Sequence, residues 1–206
     1  MKFIGDFIGS DSGFNSIGHR CKELSDIDLN NYALFTGCSH TLGEGLDIEH
    51  TFPYLFSKMV DIDYYNLGLS GSGVDVLLYN LNQWFHLIPQ KPKVLIIQFP
   101  DYTRFSSIID DTDNIIPRGN WDHSVQRFIV DAIDNGMLSA RKRMALRQIE
   151  SLGAKTITFT HGNTQPYDEN ALRMKHLDYA NDNVHSGIKS HREFASILAD
   201  LYLDKY

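Results

Sequence analysis

The sequence is short of cysteine, of positive charge and of long apolar runs. Its 206 residues hold two cysteines, Cys21 and Cys38, with no C-x-x-C pair. A disulfide-stapled scaffold is therefore excluded, and reduced thiols are expected. No run approaches the roughly 18 apolar residues of a membrane-spanning helix, so no membrane span is expected. Lys and Arg number 19 against 26 Asp and Glu, a formal net charge of −7. A nucleic-acid binder needs clustered basic residues to displace counterions. The one basic cluster, Arg141-Lys142-Arg143 with Arg147, sits in a helical pattern and reads as a solvated face, so no nucleic-acid partner is expected. None of the nine histidines has H-x-x-x-H or Cys/His ligand spacing, and "GSGVD" (71–75) lacks the lysine of a phosphate-binding loop. No metal and no organic cofactor is expected. The N-terminal "MKFIGDFIGSDSG" has no apolar core of signal-peptide length, and the expected address is the cytoplasm.

What is present is a core. Hydrophobic residues make up 42% and aromatics 12%, enough for one globular domain over residues 1–206. Residues 1–30 are polar and Gly-rich and read as an irregular lead-in. "NYALFTG" (31–37), "DYYNLGL" (63–69), "KVLIIQF" (93–99) and "AKTITFTHG" (154–162) read as strands, with a short fifth in "RMKHLDY" (173–179). Helical spacing covers 45–60, interrupted by Pro53, so that the helix is expected to begin near that proline, and also 72–88, two segments between 121 and 153, and 185–203. The polar stretch 100–120 reads as a surface excursion. Strands alternating with helices argue for a three-layer α/β/α sandwich around a mainly parallel five-stranded sheet.

Open parallel sheets bind ligands beyond the carboxyl ends of their strands. Ser39, the loop "NLGLSGSG" (66–73), "QFPDYTR" (98–104), "HGN" (161–163) and "NDNVHSG" (181–187) all follow strands and should meet at one edge. A serine needs a base to become a nucleophile. His185 is the candidate base, and Asp182, three residues earlier, can fold back to orient its ring. The backbone N–H groups of Ser39 and Gly71 are suited to hold an oxyanion.

These stretches resemble the SGNH (GDSL-type) hydrolases. "GCSHTLGEGL" looks like the family's first block, with Ser39 at the nucleophile position. "NLGLSGSG" resembles its second, with Gly71 at the oxyanion-hole glycine. "DNVHSG" resembles its last, with Asp182 and His185 completing a triad. The resemblance implies a flavodoxin-like fold and cofactor-free hydrolysis of carboxylic esters through an acyl-serine. The expected partner is a small-molecule or glycan ester. A non-catalytic binding module and an O-acyltransferase are the alternatives. Three departures stand out. Cys38 replaces the usual aspartate, Ser186 the common proline, and Gln98-Phe99-Pro100-Asp101 the third block. Pro100 occupies the place of an oxyanion-donating asparagine and has no N–H. Gln98, Arg104 or Asn163 could replace it. Tyr102, Phe105, Trp121 and Tyr167 are candidate stacking aromatics for sugar rings.

Overall fold

The structure is a computed structural model and describes residues 13–109, 114–119, 122–134, 136–162, 164 and 169–205. Asn163, Trp121 and Tyr167 lie outside the described residues. The strands are β1 (Tyr32–Thr36), β2 (Asp63–Asn66), β3 (Val94–Gln98), β4 (Phe105–Ile109), β5 (Asn114–Arg118), β6 (Thr156–His161) and β7 (Leu172–Met174). The helices are α1 (Ser39–Leu42), α2 (Phe52–Val60), α3 (Val74–Leu87), α4 (Gln126–Asp134), α5 (Met137–Ser151) and α6 (Ile188–Lys205). Five strands form one parallel sheet in the order β2-β1-β3-β6-β7, while β4 and β5 pair separately as an antiparallel hairpin.

Every residue of β1 and β3 is buried. A strand with no polar face must be covered on both sides. Phe35 meets Phe52 and Phe56 of α2 at centroid distances of 5.8 and 5.6 Å. Tyr32, three residues earlier and so on the opposite face, accepts a hydrogen bond from Trp84 Nε1 of α3 at 3.0 Å. Tyr65 packs on the same Trp84 at 4.4 Å. On the α2 side, Phe159 of β6 and Phe194 of α6 close the aromatic cluster at 4.5 Å. Each fully buried ring contributes about 2–3 kcal/mol of transfer free energy. The result is the three-layer α/β/α sandwich read from the sequence.

Local chemistry moves several boundaries. The helix expected to begin near Pro53 within 45–60 starts at Phe52, with Pro53 in its first turn, after a 3-10 turn at Ile48–His50. Its first amide, Phe52 N–H, donates to His191 Nδ1 at 3.0 Å. The final helix starts at Ile188 rather than 185, because Asp178 accepts the Lys189 and Ser190 N–H groups at 3.0 and 2.9 Å. The fifth strand is three residues long, Leu172–Met174, rather than 173–179. The excursion 100–120 contains the β4–β5 hairpin, whose Ser106 N–H donates to Asp75 of α3 at 2.7 Å.

The lead-in is held down: Asn15 Nδ2 donates to Tyr65 Oη at 3.1 Å, and His19, Arg20 and Cys21 are buried. Both cysteines are free. Among the described residues no helix is long and apolar enough to cross a membrane. Because β1 pairs with both β2 and β3, the chain reverses its direction of travel across the sheet at β1. That places the switch-point crevice at the carboxyl ends of β1 and β3.

Candidate active site

Thr36 ends β1, and Gly37 and Cys38 turn the chain into α1, which starts at Ser39. A Cβ on Gly37 would sit 2.5 Å from Gln98 Cβ, so the turn packs directly on the end of β3. Gln98 Oε1 accepts hydrogen bonds from Cys38 N–H (3.3 Å), Thr41 N–H (3.1 Å) and Thr41 Oγ1 (2.7 Å). Its amide oxygen thus supplies the acceptor for Cys38 N–H at this helix start and shares Thr41 N–H with the Cys38 carbonyl at 3.0 Å. Asn66, at the end of β2, donates to the Thr41 carbonyl at 2.9 Å and accepts from Gly68 N–H at 2.9 Å. Leu69 N–H and Ser72 Oγ both donate to the Gly37 carbonyl, at 3.1 and 3.0 Å. The 67–72 loop therefore lies against the serine turn. Gly71 has φ of 66°, a left-handed conformation suited to glycine. Among the described residues, neither the Ser39 nor the Gly71 N–H has an acceptor, and Ser39 Oγ makes no hydrogen bond.

The loop before α6 brings in the base. Asp182 Oδ1 accepts from the N–H groups of Val184 and His185, both at 2.9 Å, and Oδ2 accepts from His185 Nδ1 at 2.5 Å. Burial pushes this carboxyl up, but the His185 and Val184 hydrogen bonds outweigh it and hold the group at about 2. In a neutral imidazole that donates from Nδ1, the lone pair lies on Nε2. The loop is tied to the serine turn through Asn181 N–H, which donates to the Gly45 carbonyl at 3.1 Å. His185 Nε2 lies 3.8 Å from Glu44 Oε2. No hydrogen bond links His185 to Ser39, a looseness common before a substrate draws such groups together.

A histidine cluster flanks the base. His40 stacks on His161 at 3.5 Å and meets His185 edge-on at 5.1 Å. Burial, then His161, His185, His191 and Arg104, press His40 well below the usual imidazole range. Burial, His176, His185 and Arg104 bring His161 down to about 4. Ser186 Oγ, at the position of the common proline, links His161 Nε2 at 2.7 Å and His176 Nδ1 at 3.3 Å. Arg104 is thus close enough to act on both stacked histidines. Its carbonyl accepts from Arg141 Nη1 at 2.7 Å.

Ser39, Gly71, Arg104, Asp182 and His185 therefore follow strands of the parallel sheet, and Gln98 ends β3 with its amide oxygen turned toward α1. Asn66, Glu44, His40 and Arg20 join the site without having been singled out from the sequence. Only the strand-end place of Asn66 and the glycines around Glu44 hinted at them. Arg20 Nη1 and Nη2 donate to the Gly43 and Leu46 carbonyls, just beyond α1. Among the described residues, the one group with metal-ligand spacing is Asp47, Glu49 and His50, in a surface turn that shares no residue with the site. The larger cavity, about 380 Å³, is lined by Asn31, Asp61 and Asp63, at the opposite, amino-terminal edge of β1 and β2. An apolar pocket of about 260 Å³, lined by Phe105, Phe128 and Ile129, adjoins the segment after β3.

No protein-family profile matches the sequence, and no curated protein sequence matches it. Solved structures do match in fold. A carbohydrate esterase whose active site displays divergent catalytic and non-catalytic binding functions aligns at a TM-score of 0.54 and 18% identity, over 86% of this chain and 69% of that one. The psychrotrophic esterase EstA from Pseudoalteromonas sp., inhibited by monoethylphosphonate, aligns at 0.51 and 16%, over 85% and 100%. A protein of Desulfitobacterium hafniense DCB-2 assigned to the lipolytic G-D-S-L family aligns at 0.50 and 15%, over 84% and 99%. The chain has the SGNH-hydrolase fold, the architecture these G-D-S-L lipolytic proteins and esterases share.

Proposed function

We propose that the chain is a serine ester hydrolase working through an acyl-serine. Ser39 Oγ attacks the ester carbonyl while His185 Nε2 takes its proton. Asp182 fixes the ring and stabilises the imidazolium. The N–H groups of Ser39 and Gly71 hold the oxyanion, with Arg104 as the candidate third donor. His185 then protonates the departing alcohol. Water repeats the sequence on the acyl-serine and releases the acid. Gln98 acts by holding the serine turn, since its amide oxygen is engaged by Cys38 and Thr41. The observation carrying this reading is the 2.5 Å Asp182–His185 contact on a loop bonded to the serine turn. Acyl or acetyl esters of carbohydrates are the proposed substrates, in keeping with the fold likeness to a carbohydrate esterase.

The test is turnover of 4-nitrophenyl acetate by the wild type and by Ser39→Ala, with circular dichroism to verify folding. Activity at background in the variant is expected. Equal turnover contradicts the reading. A second reading, ligand binding without turnover, is favoured by one observation: His185 Nε2 lies 3.8 Å from Glu44 Oε2, while Ser39 Oγ makes no hydrogen bond among the described residues. It predicts no turnover in either protein, with saturable binding of an acetylated oligosaccharide.

A further inference from the structure

This inference rests on the serine-hydrolase reading. In that reaction His185 Nε2 gives its proton to the oxygen of the leaving alcohol, which must sit about 2.8 Å away. Any side chain beside Nε2 therefore borders the alcohol half of the ester. Glu44 is such a side chain, with Oε2 3.8 Å from Nε2. A single oxygen placed about 2.8 Å from each atom bridges that gap.

Glu44 is held in place. Ser70 Oγ, next to Gly71, donates to its Oε2 at 2.6 Å. Gly43 and Gly45 on either side have φ of 80° and 79°. A Cβ on Gly43 would meet Thr51 Cγ2 at 2.2 Å, and one on Gly45 would meet Asp182 Oδ2 at 2.9 Å. Arg20 fastens the same turn from behind through the Gly43 and Leu46 carbonyls. Ser70 uses one of the roughly four lone-pair sites of the carboxylate, so acceptor capacity remains.

We propose that Glu44 is a specificity-determining residue for the alcohol half of the substrate. It accepts a hydrogen bond from a second hydroxyl on the alcohol that carries the ester, or attracts a cationic group there by charge, and it repels an anionic alcohol. The site therefore takes esters of polyols or amino alcohols over esters of hydroxy acids.

The test compares kcat/KM for glycerol monoacetate, acetylcholine and 2-acetoxypropanoate in the wild type, Glu44→Gln and Glu49→Gln. The ratio of two esters within one variant cancels differences in folded fraction and in Ser39 reactivity. The wild type is expected to prefer the first two esters over the anionic one by about tenfold or more, the scale of one close charge contact near the surface. Glu44→Gln is expected to lower the cationic-to-anionic ratio roughly tenfold. Glu49→Gln, which removes the same charge from an exposed position, is expected to keep it. A wild-type ratio in Glu44→Gln, or an equal drop in Glu49→Gln, overturns the proposal. An anionic preference would assign the alcohol side to Arg104 and also overturns it. If the wild type hydrolyses none of the esters and Ser39 takes no fluorophosphonate adduct, the hydrolase reading falls and takes this one with it. Labelling of Ser39 without alcohol discrimination removes this proposal alone.

Discussion

His185 Nδ1 lies 2.5 Å from Asp182 Oδ2, and the same carboxylate accepts the His185 backbone N–H at 2.9 Å. One side chain therefore sets both the backbone turn and the ring that the turn presents. Asp182→Asn should disturb the tautomer more than the turn, because the amide oxygen can still accept backbone N–H groups. On the serine-hydrolase reading, kcat for 4-nitrophenyl acetate falls about 10³- to 10⁴-fold with KM changed only a few-fold. A loss under tenfold in steady-state kinetics would contradict the assigned role.

Gln98 is a support for the serine turn. Gln98→Leu strips the acceptor from the buried Cys38 N–H and Thr41 Oγ1, while Thr41 N–H keeps the Cys38 carbonyl. Leaving such donors unpaired costs about 1–3 kcal/mol each before relaxation. A net destabilisation of about 2–4 kcal/mol is expected in urea unfolding. Gln98→Glu, which keeps the acceptor, should be less damaging.

Arg20 couples the lead-in to the site. The residue is 8% exposed, and its guanidinium reaches the carbonyls that follow α1. Arg20→Met should lower unfolding stability by about 2–4 kcal/mol, since it removes the guanidinium donors from the Gly43 and Leu46 carbonyls, of which Gly43 keeps only Leu46 N–H among the described residues. Arg20→Lys should not restore it, because one ammonium cannot reproduce the planar fork. Thermal unfolding of the three proteins checks this.

Acid should destabilise the protein before its carboxylates protonate. His191 accepts Phe52 N–H through Nδ1, so the fold needs it neutral. Burial, then His161 and other neighbours, lower it to about 3, while His161 is lowered to about 4. Both groups take up protons near pH 6.5 once unfolded. Between about pH 6.5 and 4 the unfolded chain therefore binds more protons, and stability falls as pH falls. Unfolding midpoints across that window should decline in the wild type and decline less in His191→Asn, whose amide oxygen can still accept from Phe52. A flat wild-type profile would contradict this.

Much of the fold was legible because β1 and β3 are short, wholly apolar runs with polar residues at their ends. The placement of Ser39, Gly71, Asp182 and His185 after strands of one parallel sheet could be read from strand order together with the three motif blocks. The β4–β5 hairpin was not legible, because its sequence is polar and lacks strict alternation. Neither was the shortened start of α6, since capping by Asp178 depends on ten intervening residues folding back. Glu44 and Arg20 were hidden for a related reason. Glu44 meets His185 across 141 positions, and Arg20 acts on carbonyls, which no side-chain pattern records. Gln98 is one of three residues the sequence offered in place of the missing asparagine. That its oxygen is held by the Cys38 and Thr41 groups was not legible, because it depends on the packing of Gly37 against the end of β3.

The central claim is that His185 and its surroundings activate Ser39. The direct measurement is intact-mass analysis after incubation with a fluorophosphonate probe, in the wild type, Ser39→Ala and His185→Ala. The account predicts one adduct on the wild type, mapped to Ser39 by peptide sequencing, none on Ser39→Ala, and labelling slowed at least about a hundredfold in His185→Ala. An unlabelled but folded wild type, or an adduct that survives in Ser39→Ala, would contradict it.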